Sequence, residues 1–188
     1  MFLLFPKMKI SPASDLNHPL FYVAGPIRGG GSWQERAYEL FAKEEPDCIV
    51  ATPCRYALDH SVRVWTHPHA VPDAFERQTD WEDEYMNEAV YGARGCLMFW
   101  LPVESVTDPR PREDGPYAQD SYGELGYWRA LIEGSFDPSQ LAIVIGAEPG
   151  FHGLRKLQRD LDRAVDGTFV IHPTLEATVK AAVDKARM

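Results

Sequence analysis

Apolar residues along the chain fall into five short runs that are separated by longer segments of mixed polarity. Each run holds four to six residues and is followed by a glycine, a proline or a polar residue. Continuous apolar runs of this length are typical of strands buried on both faces of a parallel sheet. The predicted strands lie at residues 21–24, 48–51, 96–101, 141–145 and 168–171.

Apolar residues recur every three to four positions in the segments between these runs, which predicts amphipathic helices. We expect one helix to begin after Ser32, one to begin at Asp80, and three to cover residues 122–132, 153–164 and 175–186. The residues predicted to face the sheet from the first three helices are Trp33, Ala37, Leu40 and Phe41, then Trp81, Tyr85, Met86, Ala89 and Val90, then Leu125, Trp128 and Leu131.

Strands that alternate with helices in this way predict a single α/β domain over residues 1–188, with helices on both faces of a parallel sheet. Five strands favour a flavodoxin-like, three-layer fold with the strand order 2-1-3-4-5. Ligands of such sheets bind beyond the carboxyl ends of the strands, near the point where the strand order reverses. The loops after residues 24, 51 and 101 are therefore the predicted location of the site.

Two stretches of the chain lie outside the alternation of strands and helices. Residues 1–17 are predicted to form a flexible arm, because the apolar residues at positions 2–5 lack the basic region and the length of a targeting segment. Residues 55–79 show no clear period and are predicted to be an insertion with short helical pieces. Long excursions inside compact domains are often functional, and we expect residues 60–73 to cover the cleft.

Charge and cysteine content narrow the class of protein. A net charge of −9 argues against binding a nucleic-acid polymer, since an acidic surface repels phosphodiester backbones. Three cysteines without a CxxC spacing predict a reduced, cytoplasmic protein. No apolar run reaches the length of a membrane span, so no membrane partner is expected.

The loop after the first predicted strand is rich in glycine and carries one arginine. Backbone N–H groups, a helix N-terminus and a guanidinium can together bind an anion. The alternative is a flexible connection that ends in a helix cap, because Ser32-x-x-Glu35 matches a capping box. The candidate residues are Gly25, Pro26, Ile27, Arg28, Gly29, Gly30 and Ser32.

Glu124 admits two interpretations. Ser121-x-x-Glu124 also matches a capping box, in which the carboxylate bonds back to the start of the helix. Alternatively, an ionised and positioned carboxylate at this place can attack an anomeric carbon and form a covalent glycosyl intermediate. The local pattern alone favours the cap.

Acidic and histidine residues before the third strand are the remaining candidates. Asp80, Glu82 and Glu84 fall at a helix start, where a solvated face is the default and where one of them can still point into the cleft. His67-x-His69 is too short a spacing for a helical metal pair, so no metal site is expected.

Four motifs in series resemble the nucleoside 2-deoxyribosyltransferase-like family, which includes N-glycosidases of nucleoside 5′-monophosphates. The resemblance spans about residues 21–161 and is carried by FYVAGPI at 21–27 with Ser32-Trp33, Gln78-x-x-Trp81-Glu82, FWLP at 99–102 and GELGYW at 123–128. It implies cleavage or transfer at the N-glycosidic bond of a nucleoside or nucleotide.

The resemblance also implies roles for single residues. Glu124 matches the family's nucleophile, Tyr22 is the nearest match to a tyrosine beside the sugar, and Glu82, Asp80 or Glu84 would supply the proton to the departing base. We expect Glu82 to remain protonated and Glu124 to be ionised. The substrate-binding set is completed by the glycine-rich loop, with Arg28 on a 5′-phosphate, and by Trp81, Asp120 and Ser121.

The loop that carries Arg28 resembles the loop of family members that hydrolyse nucleoside 5′-monophosphates, and the terminal aromatic residue of some transferases has no match here. The resemblance therefore implies hydrolysis of a nucleotide over base exchange. The resemblance implies no cofactor, a small nucleoside or nucleotide as the partner, and a homodimer whose interface could use Trp81, Trp100 and Trp128. Two other functions stay open, a non-catalytic nucleotide-binding domain and a glycosidase that cleaves NAD, because a fold does not fix a function.

Overall fold

The computed structural model describes residues 1–10, 18–54 and 60–188. Within these ranges it is an α/β fold with one sheet of six parallel strands, in the order β1-β3-β2-β4-β5-β6. The predicted flavodoxin-like order is confirmed for five of the strands, and β1 is an additional strand at one edge. The strands are β1 (Phe2–Leu4), β2 (Leu20–Ala24), β3 (Ile49–Ala51), β4 (Gly95–Leu101), β5 (Ile143–Ala147) and β6 (Ile171–His172).

Helices cover both faces of the sheet. Helices α2, α3 and α4 pack on one face, and α1 and α5 pack on the other. The helices are α1 (Trp33–Glu44), α2 (Gln78–Tyr91), α3 (Gln119–Gly134), α4 (Leu154–Ala164) and α5 (Leu175–Ala186), with short 3-10 helices at Ser61–Trp65, Arg112–Asp114 and Pro138–Gln140.

The central strand β4 explains why the apolar runs are continuous. Leu97 and Phe99 face the layer of α2 and α3, whereas Met98 and Trp100 face the layer of α1 and α5. Successive side chains of a strand point to opposite faces, so a strand between two helical layers has no solvated face. Helix α2 buries the five apolar residues predicted for it, while α3 buries Ile132 and leaves Leu131 only partly covered.

The expectation of a flexible arm is wrong for the first residues of the chain. Strand β1 pairs in parallel with β3, in a register that sets Phe2 opposite Ile49. Leu3, Leu4 and Phe5 are buried. The apolar residues at positions 2–5 extend the sheet because both faces of β1 are covered. Residues 11–17, the remainder of the predicted arm, lie outside the described residues.

The expectation that residues 60–73 cover the cleft is also wrong. Val62, in the 3-10 helix, is buried against the layer of α1 and α5, and Thr66 bridges to Leu3. The backbone N–H of His67 donates to the carbonyl of Leu3, and its side chain is buried. These residues pack beside β1, and none of them lines the cleft described below. Residues 55–59 of the predicted insertion lie outside the described residues.

The three tryptophans expected at a dimer interface belong to the core instead. Trp81, Trp100 and Trp128 are each at most 3% exposed. They fill the space between the sheet and its helices, so they cannot contact a second chain. The homodimer itself stays a prediction.

Three further observations concern the described part of the chain. No helix in it has the length and apolar character needed to cross a membrane. No group of three or more His, Cys, Asp or Glu side chains in it is arranged to hold a metal ion. Its three cysteines are free, with Cys48 and Cys96 buried and Cys54 partly exposed.

The burial of β1 predicts that its side chains contribute to stability. Truncating Leu4, which is fully buried, should lower the free energy of unfolding by about 2–5 kcal/mol, since the substitution opens a cavity against β3. Chemical denaturation of Leu4→Ala measures this loss. Val106→Ala is the matched control, because Val106 is 95% exposed and its truncation should change stability by less than about 0.5 kcal/mol. Equal denaturation midpoints for Leu4→Ala and Val106→Ala would support the expectation that the first residues form a flexible arm.

Candidate functional site

A cleft of about 560 Å³ opens at the carboxyl ends of β2, β3 and β4. This is the point where the strand order reverses, since β3 lies on one side of β2 and β4 on the other. The volume suits a small ligand. The lining residues are Gly25, Pro26, Ile27, Arg28, Pro53, Cys54, Gln78, Glu82, Arg110, Ala118, Asp120, Ser121 and Glu124.

The loop after β2 is held in place and forms one wall of the cleft. Gly25 has a φ of +147°, and a Cβ atom there would lie 2.1 Å from the carbonyl oxygen of Trp100, so only glycine fits. The indole N–H of Trp33 donates to the carbonyl of Pro26 at 2.8 Å. The backbone N–H of Ser105 donates to the carbonyl of Gly29 at 2.7 Å, which ties this loop to the one after β4. These contacts contradict the flexible connection.

The last residues of the same loop were predicted to bind the ligand, but they do not line the cleft. Gly29 is buried and does not line the cleft, while Gly30 and Ser32 line a separate hollow. Ser32 occupies the N-cap of α1 but makes no side-chain cap hydrogen bond. The capping box predicted there is therefore wrong, and the wall of the cleft ends at Arg28.

Helix α3 begins three residues before the predicted start, and this decides the interpretation of Glu124. The N-cap is Ala118, which has a left-handed backbone with φ +60°, so Ser121 lies inside the helix. Glu124 is then the sixth helical residue and cannot cap the first turn. It lines the cleft together with Asp120 and Ser121, which precede it by four and three positions on the same side of the helix.

Glu82 reaches the cleft from the first turns of α2. Its carboxylate accepts a hydrogen bond of 2.7 Å from the side-chain amide of Gln78, one turn earlier, and both residues line the cleft. The same amide nitrogen lies 3.4 Å from the carbonyl of Pro53, at the end of β3. Gln78 thus fixes the carboxylate of Glu82 at the opening between β3 and α2.

Burial dominates the electrostatics of Glu124. It raises the pKa of Glu124 to about 7, with smaller contributions from the negative charges of Glu82, Asp120 and Asp83. This raised pKa contradicts the expectation that Glu124 is fully ionised near neutral pH in the ligand-free protein. The expected proton on Glu82 stays a prediction.

Tyr22 lies beneath the two carboxyl groups. It is 1% exposed, does not line the cleft, and packs against the ring of Trp81. Burial raises the pKa of Tyr22 well above its usual value, and the charges of Glu82 and Glu124 add to this rise. Its hydroxyl makes no hydrogen bond to any residue that the structure describes. The tyrosine is therefore a neutral, buried donor that belongs to the core and not to the wall of the cleft.

Two basic residues lie at the cleft. Arg28, whose side chain is 64% exposed, forms an ion pair with Asp114. Arg110 lies on the loop after β4, and its terminal nitrogens approach the Asp120 carboxylate at 3.4 and 3.5 Å. Positive charge at this place suits an anionic ligand in an otherwise acidic chain.

Three predicted site residues are placed elsewhere. Asp80 is paired with Arg77 on the surface, which lowers the pKa of Asp80, and Glu84 is paired with Lys9. Neither lines the cleft. Trp81 is fully buried and donates its indole N–H to the carbonyl of Met8 at 2.8 Å, so it is a core residue that cannot touch a ligand. Of the three acidic candidates on α2, Glu82 is the one that lines the cleft.

Sequence reasoning missed several residues of the cleft. Arg110 and Ala118 lie in the proline-rich stretch after β4, and Pro53 and Cys54 follow β3. Gln78 belongs to a motif that was noted, but no role was expected for it. For Arg110, Ala118, Pro53 and Cys54 the available signal is their position after the end of a strand, at the predicted edge of the sheet.

A scan against models of known protein families gives no match for this chain, and a search of curated proteins gives none either.

The raised pKa of Glu124 makes a prediction about stability. A carboxyl whose pKa is higher in the folded state favours folding at low pH, and this contribution is lost as the pH rises from about 4.5, its ordinary value, to about 7. Glu124→Gln removes the charge and keeps the shape. The variant should therefore be more stable than the wild type at pH 8, by on the order of 2–3 kcal/mol, and equal to it at pH 4.

Thermal and chemical denaturation at the two pH values measure this difference. Glu133→Gln, at an exposed position of the same helix, is the matched control and should show no such dependence on pH. A Glu124→Gln variant that is less stable at both pH values would mean that the carboxylate supports the helix and is not strained by burial.

Proposed function

We propose that this chain cleaves the N-glycosidic bond of a nucleoside 5′-monophosphate through a covalent sugar–Glu124 intermediate. The observation that carries the proposal is the pair of carboxyl groups, Glu82 and Glu124, in one cleft that also holds Arg28. Carboxyl pairs in different environments are the usual means of cleaving glycosidic bonds, one as nucleophile and one as acid.

The convergence of distant motifs supports the resemblance to nucleoside 2-deoxyribosyltransferase-like proteins. Residues 25–27 follow β2, Gln78 and Glu82 lie on α2, and Glu124 lies on α3, yet all of them line the same cleft. A chance likeness in short motifs gives no reason for such convergence. The family relationship is part of this proposal.

In the first step, the ionised carboxylate of Glu124 attacks the anomeric carbon of the sugar. The bond from carbon to carboxylate oxygen forms, and the bond from carbon to the base nitrogen breaks. The bonding electrons leave with the base, which takes a proton from the carboxyl group of Glu82. Tyr22 is neutral and lies close enough to both carboxyl groups for their charges to raise its pKa.

In the second step, water attacks the anomeric carbon of the glycosyl ester. Glu82, now ionised, accepts the proton of this water, and the Glu124 carboxylate leaves. A second base in place of water would give transfer instead of hydrolysis. Hydrolysis is the favoured outcome, because a basic loop at the cleft suits a 5′-phosphate.

The pKa of about 7 is consistent with this cycle. Burial and, to a smaller extent, the negative charges of Glu82, Asp120 and Asp83 raise the pKa of Glu124, so its protonated and ionised forms are both populated near neutral pH. The first step requires the ionised form of Glu124 and a proton on Glu82.

The test is base release from a panel of ribonucleoside and deoxyribonucleoside 5′-monophosphates, the matching free nucleosides and NAD, followed by chromatography. The wild type should release a base from at least one monophosphate. Glu124→Gln should reduce this release by at least about 10³-fold while remaining folded, because the nucleophile is lost.

Glu133→Gln is again the matched control and should retain wild-type turnover. Glu124→Gln with near-normal turnover would exclude the covalent mechanism. Release from NAD alone would identify the other glycosidase. Binding of a monophosphate without any release would favour a nucleotide-binding domain.

Arg28 gives a prediction about substrate choice. Arg28→Ala should weaken binding of a nucleoside 5′-monophosphate by about 10- to 100-fold, the equivalent of a charge-assisted hydrogen bond of about 1.5–3 kcal/mol. Binding of the free nucleoside should change little. Calorimetric titration of both ligands measures the contrast, with Arg36→Ala on α1, outside the cleft, as the control. An equal loss of affinity for the monophosphate and the free nucleoside would show that Arg28 does not bind the phosphate.

A further inference from the structure

Arg110 is the charged residue of the cleft that the proposed function leaves without a task. It lies on the loop between β4 and α3, and it lines the cleft although its side chain is only 10% exposed. Burying a guanidinium is costly unless its N–H groups are all paired. Its Nε is buried and makes no hydrogen bond within the described ranges, so the guanidinium keeps an unpaired N–H donor.

The other contacts of Arg110 fix the orientation of its head group. One terminal nitrogen donates to the backbone carbonyl of Asp114 at 2.6 Å. The contacts to the Asp120 carboxylate, at 3.4 and 3.5 Å, are at the outer limit of a hydrogen bond. The Asp120 side chain is 77% exposed, so it can turn away into solvent at little cost. The guanidinium is thus held by the backbone and only loosely neutralised.

The chain also brings Arg110 close to the loop that carries Arg28. A Cβ atom on Gly29 would lie 2.7 Å from the backbone nitrogen of Arg110, so the two loops are in direct contact. Arg28 forms its ion pair with Asp114, the residue whose carbonyl orients Arg110. Two guanidinium groups from separate loops therefore meet around one residue at the cleft.

We propose that Arg110 is a second phosphate-binding residue and that, together with Arg28, it selects a phosphate monoester over a phosphodiester and over a free nucleoside. This inference rests on the proposed function for the identity of the substrate. A monoester near neutral pH carries between one and two negative charges and three terminal oxygens. Two guanidinium groups can neutralise it and share those oxygens, with Nε and a terminal nitrogen of Arg110 on one side.

A phosphodiester carries a single charge and two free oxygens, so it leaves one arginine poorly paired. A free nucleoside leaves both without an anion. The selection therefore follows from the number of negative charges on the ligand. Arg28 pairs with one of these charges, and Arg110 pairs with the second.

The experiment compares three ligands of one nucleoside by calorimetric titration: the 5′-monophosphate, its 5′-(methyl phosphate) diester and the free nucleoside. The wild type should bind the monophosphate at least about 10-fold more tightly than the diester. Arg110→Ala should lose about 10- to 100-fold in affinity for the monophosphate and less than about 3-fold for the nucleoside, so that the preference over the diester disappears.

Arg112→Ala is the matched control, because Arg112 lies on the same loop, is exposed and does not line the cleft. It should bind all three ligands as the wild type does. Should Arg110→Ala fail to unfold cooperatively, Arg110→Gln, which keeps more of the side-chain length, provides the same comparison with the same expected loss.

An equal loss for all three ligands would assign Arg110 a merely structural role and overturn the inference. A wild type that does not prefer the monophosphate would overturn it too. The proposed function fails separately: if no base is released but the monophosphate preference is present and depends on Arg110, the phosphate site stands and the glycosidase proposal falls.

Discussion

The candidate site depends on one constraint, the partial burial of the Glu124 carboxyl group beside other acids in the cleft. Desolvation holds its pKa at about 7, far from the ordinary value of a glutamate. Helix α3 starts at Gln119, after Ala118 with its left-handed backbone. Because of this early start, Glu124 lies beyond the first turn of the helix, where it cannot act as a cap. Strained backbone before a functional helix is common where the surrounding structure fixes it. Ionising a carboxyl group with a raised pKa lowers the free energy of unfolding of the protein. The same ionised carboxylate is the form that would attack a carbon atom.

The remaining features of the cleft are arranged around that carboxyl group. Gln78 ties Glu82 to the end of β3, and the Tyr22 hydroxyl lies beneath both acids as an unused donor. The loops after β2 and β4 are joined through Gly29, which brings Arg28 and Arg110 to the same cleft. Acids from two helices and guanidiniums from two loops thus meet where the strand order reverses. Two guanidinium groups of an acidic chain thus lie at the cleft, where an anionic substrate would need them.

The sequence predicted the layers of the fold well, because strands between two helical layers must be apolar throughout and helices must repeat every 3.6 residues. Prediction from the sequence failed where a local pattern is compatible with two different structures. The apolar residues at positions 2–5 lack the basic region and the length of a targeting segment, which predicts an arm, but they form strand β1. Ser121-x-x-Glu124 matches a capping box, which a helix start three residues earlier abolishes. Asp80 and Glu84 share one helix face and Glu82 lies on another, and the packing of α2 against the sheet turns the face of Glu82 to the cleft. Arg110 could not be found because its partners are set by loop packing.

The central claim is that Glu124 becomes covalently attached to the sugar. The most direct measurement is mass spectrometry of protein that is quenched in acid while turning over a nucleoside 5′-monophosphate, followed by peptide mapping. The account predicts an adduct with the mass of the sugar phosphate on the peptide that contains Glu124, and no adduct in Glu124→Gln. Base release by the wild type that persists in Glu124→Gln, with no adduct on either protein, would contradict it.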